Sequence, residues 1–227
     1  MMKEEFYYLW TTGRGLYVLS GLLFLGIFVS PLMISEGLIS DVLIECVFAM
    51  ILITGVFTTP CSMTIKLGML LIAFLSVFTR ILHKFNHSNF TLAVADNILA
   101  VITLVAFSVL IIKHFLIDKT ILRYRIAAAV AVYLIFGVLW ARLYEIVYLF
   151  NPAAFPLSES INPFSLIYFS FVTLMTIGYG DIVPVSMAAR SLAMLEGVVG
   201  QLYMVILISS LVSEFSALAI KSSKEQN

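Results

Sequence analysis

The chain has 227 residues, of which 62% are hydrophobic and 11% are charged, and its formal net charge at pH 7 is zero. Soluble domains contain roughly half apolar residues, so this composition predicts an integral membrane protein. The balanced charge gives no basic surface for nucleic acid. Two cysteines, Cys46 and Cys61, suggest neither a disulfide framework nor a metal site.

Six apolar runs predict membrane-spanning helices, because a span needs about 20 mostly apolar residues. They cover about residues 15–34, 41–57, 65–82, 90–112, 121–150 and 188–220. The connections between the first five are short and polar, which leaves no room there for a soluble domain. The sequence therefore predicts an all-α protein with six transmembrane helices.

Basic residues indicate how these helices are oriented, since cytoplasmic loops are enriched in lysine and arginine. With a cytoplasmic N-terminus, nine basic residues fall inside: Lys3, Arg14, Lys66, Lys113, Lys119, Arg123, Arg125, Lys221 and Lys224. Three fall outside: Arg80, Lys84 and Arg190. We therefore expect both termini in the cytoplasm and residues 151–187 on the outer side. The short loops favour a bacterial inner membrane.

A shorter apolar segment lies between the fifth and sixth predicted spans. Asn162 is a suitable N-cap and Pro163 a suitable first residue for a helix over residues 164–175. Twelve residues rise only about 18 Å, which is too short to cross a bilayer. We expect a re-entrant helix that enters and leaves on the outer side.

The motif Thr-Ile-Gly-Tyr-Gly-Asp follows this helix at Thr176–Asp181. A dehydrated cation needs oxygen ligands in place of its water, and backbone carbonyls that face one axis provide them. That arrangement requires backbone angles that residues with a Cβ rarely adopt, and Gly178 and Gly180 adopt them readily. The Thr176 hydroxyl can add one more oxygen.

This motif resembles the selectivity filter of the tetrameric potassium channel superfamily, and residues 121–220 resemble its pore domain. The predicted spans resemble those of a six-span, bacterial-type member. The resemblance implies an outer helix, turret, pore helix, filter and inner helix, with four copies forming a homotetramer in the bilayer. It implies that K⁺, the permeant ion, binds at Thr176, Ile177, Gly178 and Tyr179, with Gly180 completing the filter. No cofactor is implied.

Other residues match positions that support the filter in that superfamily. Tyr168 and Phe169 lie where aromatic residues pack around it, and Asp181 lies at its exit, within reach of a hydrogen bond from Tyr168. Glu196 is a candidate for a different reason, because a carboxylate within a predicted span is costly and needs partners: it either pairs behind the filter, with Ser170 or Thr173 as partner, or faces the cavity. Gly200 is a hinge candidate on the inner helix, and close helix packing is its alternative explanation. Met175 departs from the threonine found in many members.

The first four predicted spans resemble that superfamily less closely than residues 121–220 do. Residues 1–112 predict a sensor-like bundle, 113–120 a cytoplasmic linker and 221–227 a short cytoplasmic tail. Voltage sensors carry arginines along the fourth span, whereas residues 90–112 contain Asp96 and no basic residue. We therefore expect a channel that is not gated by an arginine ladder.

These patterns predict a potassium-selective channel that conducts K⁺ passively. No constellation of nucleophile, base and acid points to an enzyme. Two alternatives stay open: a weakly selective cation channel, and a non-conducting subunit of a channel or transporter.

Overall fold

The computed structural model describes residues 15–29, 50–51, 53–56, 62–85, 89–117, 122–156 and 163–225. The elements in this part of the chain are all helical. In chain order they are α1 (Gly15–Phe24) with a π-helical extension (Leu25–Val29), α2 (Met63–Phe85), α3 (Phe90–Ile111) with a π-helical extension (Ile112–Ile117), α4 (Leu122–Phe150), a 3₁₀ turn (Pro152–Ala154), α5 (Pro163–Leu174) and α6 (Met187–Glu225).

Four of these helices are long and apolar enough to cross a membrane. The qualifying segments are Met63–Leu82, Phe90–Phe115, Tyr124–Phe150 and Met187–Ser213. They confirm the predicted third to sixth spans as helices of sufficient length. The predicted first span is helical over Gly15–Val29, and its remainder lies outside the described residues. Most of the predicted second span also lies outside them, so the total of six stays a prediction.

The short helix α5 begins at Pro163, as predicted, and ends at Leu174, one residue before the predicted end. Its predicted cap, Asn162, lies outside the described residues. Elsewhere a cap is visible: Asn89 Oδ1 accepts hydrogen bonds from the amides of Thr91 (3.1 Å) and Leu92 (3.3 Å) at the start of α3. This bonding satisfies two of the amides that a helix N-terminus leaves without partners.

Helix α4 lies at the centre of the described fold. It packs against α1, α3, α5 and α6. Buried alanines line it, including Ala127, Ala128 and Ala131, and small side chains allow helices in a membrane to approach closely. On the α1 side, the Ser20 hydroxyl donates to the Ala127 carbonyl at 3.2 Å. On the α6 side, the Tyr203 hydroxyl donates to the Ala129 carbonyl at 2.7 Å.

Polar contacts join α2, α3 and α4. Arg80 Nε lies 3.6 Å from Asp96 Oδ1, which links α2 to α3. Arg142 Nη1 on α4 donates to Asn97 Oδ1 at 3.5 Å and to Glu145 Oε2 at 2.9 Å. Ionisable groups inside a membrane protein are costly unless they are paired. The pairs therefore help to hold α3 between α2 and α4.

Candidate ion-conducting site

The loop segment 175–186 joins α5 to α6, and its first residues are hydrogen bonded to the last turns of α5. The Val172 carbonyl accepts from the amides of Ile177 (2.9 Å) and Gly178 (3.3 Å). The Thr176 amide donates to the Thr173 carbonyl at 2.9 Å. The position of α5 therefore fixes the start of the motif at Thr176–Asp181.

Positive and negative φ angles alternate along this motif. Thr176, Gly178 and Gly180 have φ of 56°, 61° and 79°, whereas Ile177 and Tyr179 are not among the residues with positive φ. Glycine adopts a positive φ without the steric cost that a Cβ imposes. The two glycines adopt this conformation as the sequence predicted.

The left-handed conformation of Thr176 was not predicted. Among the described residues, it is the only non-glycine with positive φ. For a β-branched residue this conformation is a true outlier, and holding it costs on the order of 1–3 kcal/mol. The bond from its amide to the Thr173 carbonyl helps to retain it. Strain of this kind is concentrated at functional sites.

The motif lies on the surface of the single chain. Residues 175–181 are all exposed, and the Tyr179 side chain is 69% exposed. Within its own chain Tyr179 therefore has little to pack against. Irregular backbone at membrane depth occurs where it is buried in protein or lines a water-filled path.

A hydrogen bond closes the C-terminal end of the motif. The Tyr168 hydroxyl on α5 donates to Asp181 Oδ2 at 2.7 Å, which is the bond expected from the sequence. This bond holds the pKa of the Asp181 carboxyl below its ordinary value of 3.8, because it stabilises the ionised form. Asp181 therefore carries a negative charge at the exit of the motif at neutral pH.

The second predicted aromatic residue, Phe169, packs on a different face of α5. Its ring is buried and lies 5.0 Å from that of Tyr144 and 5.4 Å from that of Phe155, centroid to centroid. Both contacts are edge to face, the geometry that aromatic pairs prefer. The three rings pack α5 against α4 and against the segment that follows the 3₁₀ turn.

Glu196 lies between α4, α5 and α6 and is fully buried. One carboxyl oxygen, Oε1, lies 2.5 Å from the Ser170 hydroxyl on α5. The other, Oε2, accepts a hydrogen bond from the Tyr144 hydroxyl on α4. Of the partners considered from the sequence, Ser170 is therefore in contact with the acid, and the carboxyl group does not face open space.

Ser170 makes a second contact, because its hydroxyl lies 2.8 Å from the Gly137 carbonyl on α4. A Cβ at Gly137 would stand only 2.3 Å from Cζ of Phe171. Glycine is therefore required for α5 to come this close to α4. We call Gly137, Tyr144, Ser170 and Glu196 the Glu196 cluster.

Gly200 lies where α6 crosses the end of α5. A Cβ there would be 2.7 Å from Leu174 Cδ1 and 3.3 Å from the Leu174 carbonyl oxygen. This contact gives Gly200 a packing role, which was the alternative to a hinge. Helix α6 runs without interruption from Met187 to Glu225, and the hinge stays a prediction.

Two members of the Glu196 cluster, Gly137 and Tyr144, were missed by the sequence reasoning. A glycine within a long apolar helix is a signal for close packing, and Gly137 carries that signal. Tyr144 carries no local signal, since its partner Glu196 is 52 residues away in the chain.

Comparison of the chain with curated proteins and with solved structures gave no match. Comparison with protein families gave one over less than half of the chain. It includes most of α4, all of α5, the loop segment 175–186 and most of α6. These residues, 128–217, match the family model described as "Ion channel", which supports passive ion conduction by this part of a membrane protein.

Proposed function

We propose that the chain is a subunit of a potassium-selective channel. The observation that carries this proposal is the backbone of Thr176–Gly180, where three residues with positive φ, Thr176, Gly178 and Gly180, alternate with residues that lack it in a Thr-Ile-Gly-Tyr-Gly sequence. Backbone carbonyls arranged in this way replace the water around a dehydrated K⁺. The ligands are the carbonyls of Thr176, Ile177, Gly178 and Tyr179, with the Thr176 hydroxyl at the inner end.

The end of α5 favours a cation at the same place. A helix C-terminus carries a partial negative charge equivalent to about half an elementary charge. Helix α5 ends at Leu174, two residues before Thr176. The exit carries the ionised Asp181, so the path has a cation-attracting group at each end.

We propose that four copies surround the path. The motif is exposed in the single chain. Within the apolar segment of α6, Met187–Ser213, only 11% of the 18-residue stretch that qualifies as a span is buried inside the chain. Other copies of the chain would cover both surfaces in a homotetramer, as irregular backbone at this depth requires. The exposed apolar residues on α6 include Met194, Leu195, Val198, Leu202, Val205 and Ile206.

In the proposed subunit, six spans lie in the bilayer with both termini in the cytoplasm, and residues 1–112 form a sensor-like module. Helix α3 contains no arginine or lysine between Phe90 and Ile111. Gating work in a voltage sensor comes from moving such charges through the field. We therefore propose gating without an arginine ladder. A bacterial inner membrane is the proposed location.

The test is the reversal potential of purified protein in planar bilayers under opposed K⁺ and Na⁺ gradients. We expect reversal near the K⁺ equilibrium potential. Gly178→Ala should abolish selective conduction, because an alanine at φ 61° is strained by about 1–2 kcal/mol. Gly68→Ala is the matched control, since its Cβ would meet nothing within 4 Å and no positive φ is involved.

Two results would contradict the proposal. Reversal near zero would favour the weakly selective cation channel, and no current from well-folded protein would favour the non-conducting subunit. Selective conduction that survives Gly178→Ala would remove the motif from the conduction path.

A further inference from the structure

The Glu196 cluster contains three close oxygen–oxygen contacts, but its two hydroxyl groups carry only two hydrogens. Three oxygen pairs are within hydrogen-bond distance: Tyr144 with Glu196 Oε2, Ser170 with Glu196 Oε1, and Ser170 with the Gly137 carbonyl. Each hydroxyl carries one hydrogen, and a carbonyl or an ionised carboxylate carries none. An ionised Glu196 leaves two hydrogens for three contacts.

A protonated Glu196 removes this shortage. Tyr144 donates to Oε2, the carboxyl hydrogen on Oε1 donates to Ser170 Oγ, and Ser170 donates to the Gly137 carbonyl. Every contact then contains one hydrogen, and no two lone pairs face each other at 2.5 Å or 2.8 Å.

Burial favours the same protonation state. Glu196, Ser170 and Tyr144 are all 0% exposed. The ion pairs described above join Arg80 to Asp96 and Arg142 to Glu145, and neither includes Glu196. A buried carboxylate without a cation costs far more than a neutral acid, and such groups are neutralised instead.

We infer that Glu196 is held as a neutral carboxylic acid and acts as a hydrogen-bond donor that positions Ser170, and through it α5. The chain of contacts continues to the motif, because the Val172 carbonyl, two residues after Ser170, accepts from the amides of Ile177 and Gly178. Glu196 is thus a positioning residue for the backbone at Thr176–Gly180. Its role in conduction rests on the proposed function, whereas its protonation state does not.

Infrared spectroscopy of the full-length protein in lipid tests this inference directly. The carbonyl stretch of a protonated carboxylic acid is resolved from the stretches of a carboxylate. We expect the wild type at neutral pH to show an acid carbonyl band that shifts when glutamate is labelled with ¹³C at the side-chain carboxyl. The band should disappear in Glu196→Gln and persist in the matched control Glu145→Gln, whose native acid is paired with Arg142.

Glutamine can replace the neutral acid, because its amide can donate to Ser170 and accept from Tyr144, so we expect Glu196→Gln to fold. Glu196→Met introduces an apolar side chain of similar length. The difference between its spectrum and that of the wild type is a second test that the acid band belongs to Glu196. Ser170→Ala should shift the Glu196 band, because the acid loses its acceptor.

An acid band that survives both Glu196 substitutions, or a labelled wild type with no acid band, would overturn the inference. The spectrum does not require current. A non-conducting protein with the Glu196 band would refute the proposed function and still support the neutral acid.

Discussion

Gly137→Ala tests whether close approach of α5 to α4 holds the site together. The added Cβ would lie 2.3, 2.6 and 2.7 Å from three atoms of the Phe171 ring, well inside van der Waals contact. Phe171 is buried, and the Phe28 ring lies beside it at a centroid distance of 5.8 Å, so the ring has little room to move. The substitution must therefore separate α5 from α4 or distort the ring.

The expected change in the free energy of unfolding of Gly137→Ala is the sum of two opposing effects. Overpacking of a core costs typically about 1–3 kcal/mol, and replacing glycine with alanine inside a helix gains about 1 kcal/mol. Gly21→Ala, in α1, provides the same gain without a clash, because its Cβ would meet nothing within 4 Å. The difference between the two variants in free energy of unfolding should therefore be about 1–3 kcal/mol, with Gly137→Ala the less stable.

The assay is thermal and denaturant unfolding in one detergent at fixed K⁺ concentration, followed by K⁺ flux from liposomes. The double variant Gly137→Ala with Phe171→Leu should recover part of the loss, because the smaller side chain removes the ring that the Cβ meets. Flux should fall in Gly137→Ala, since the contact between Ser170 and the Gly137 carbonyl at 2.8 Å would lengthen. Equal stabilisation in Gly137→Ala and Gly21→Ala would refute the argument.

Two further variants test contacts that α5 makes with α6 and with the loop segment 175–186. Gly200→Ala should lower thermal stability, because its Cβ would lie 2.7 Å from Leu174 Cδ1. Gly197→Ala is the control and should not lower it, because its Cβ would meet nothing within 4 Å. Equal effects of the two substitutions would show that Gly200 has no packing role. Tyr168→Phe should raise the pKa of Asp181 towards its ordinary 3.8, measured by infrared titration of ¹³C-labelled aspartate. The pKa of Asp181 in the folded protein is below the ordinary 3.8. The wild-type hydrogen bond therefore stabilises the fold above pH 3.8, and this stabilisation is lost as the pH falls through the folded pKa. An unchanged Asp181 titration in Tyr168→Phe would contradict this account.

The sequence predicted those features that depend on length, hydrophobicity and local conformation. Helices α2, α3, α4 and α6 follow from long apolar runs, and α5 follows from Pro163 and from a run too short to span. The left-handed glycines Gly178 and Gly180 follow from the conformations that glycine alone adopts without cost. Each of these inferences needs only neighbouring residues.

The parts that the sequence did not predict depend on contacts between distant residues. The hydrophobic pattern of α4 identifies a buried helix but does not say which helix covers each face, so Tyr144 could not be paired with Glu196. The clash that explains Gly137 requires the position of Phe171, on another helix. The positive φ of Thr176 is imposed by the loop around it, against the preference of a β-branched residue.

Helix α4 connects α3 to α6 through two side chains that are two residues apart. Arg142 contacts Asn97 on α3, and Tyr144, two residues later, contacts Glu196 on α6. The two contacts differ in chemistry: Arg142 is charged and its carboxylate partner Glu145 is partly exposed, whereas the Tyr144 contact is fully buried. A displacement of α3 would therefore reach α4 through an adaptable polar link. It would reach α5 through close contacts such as those of the Glu196 cluster, because close-packed interiors transmit strain.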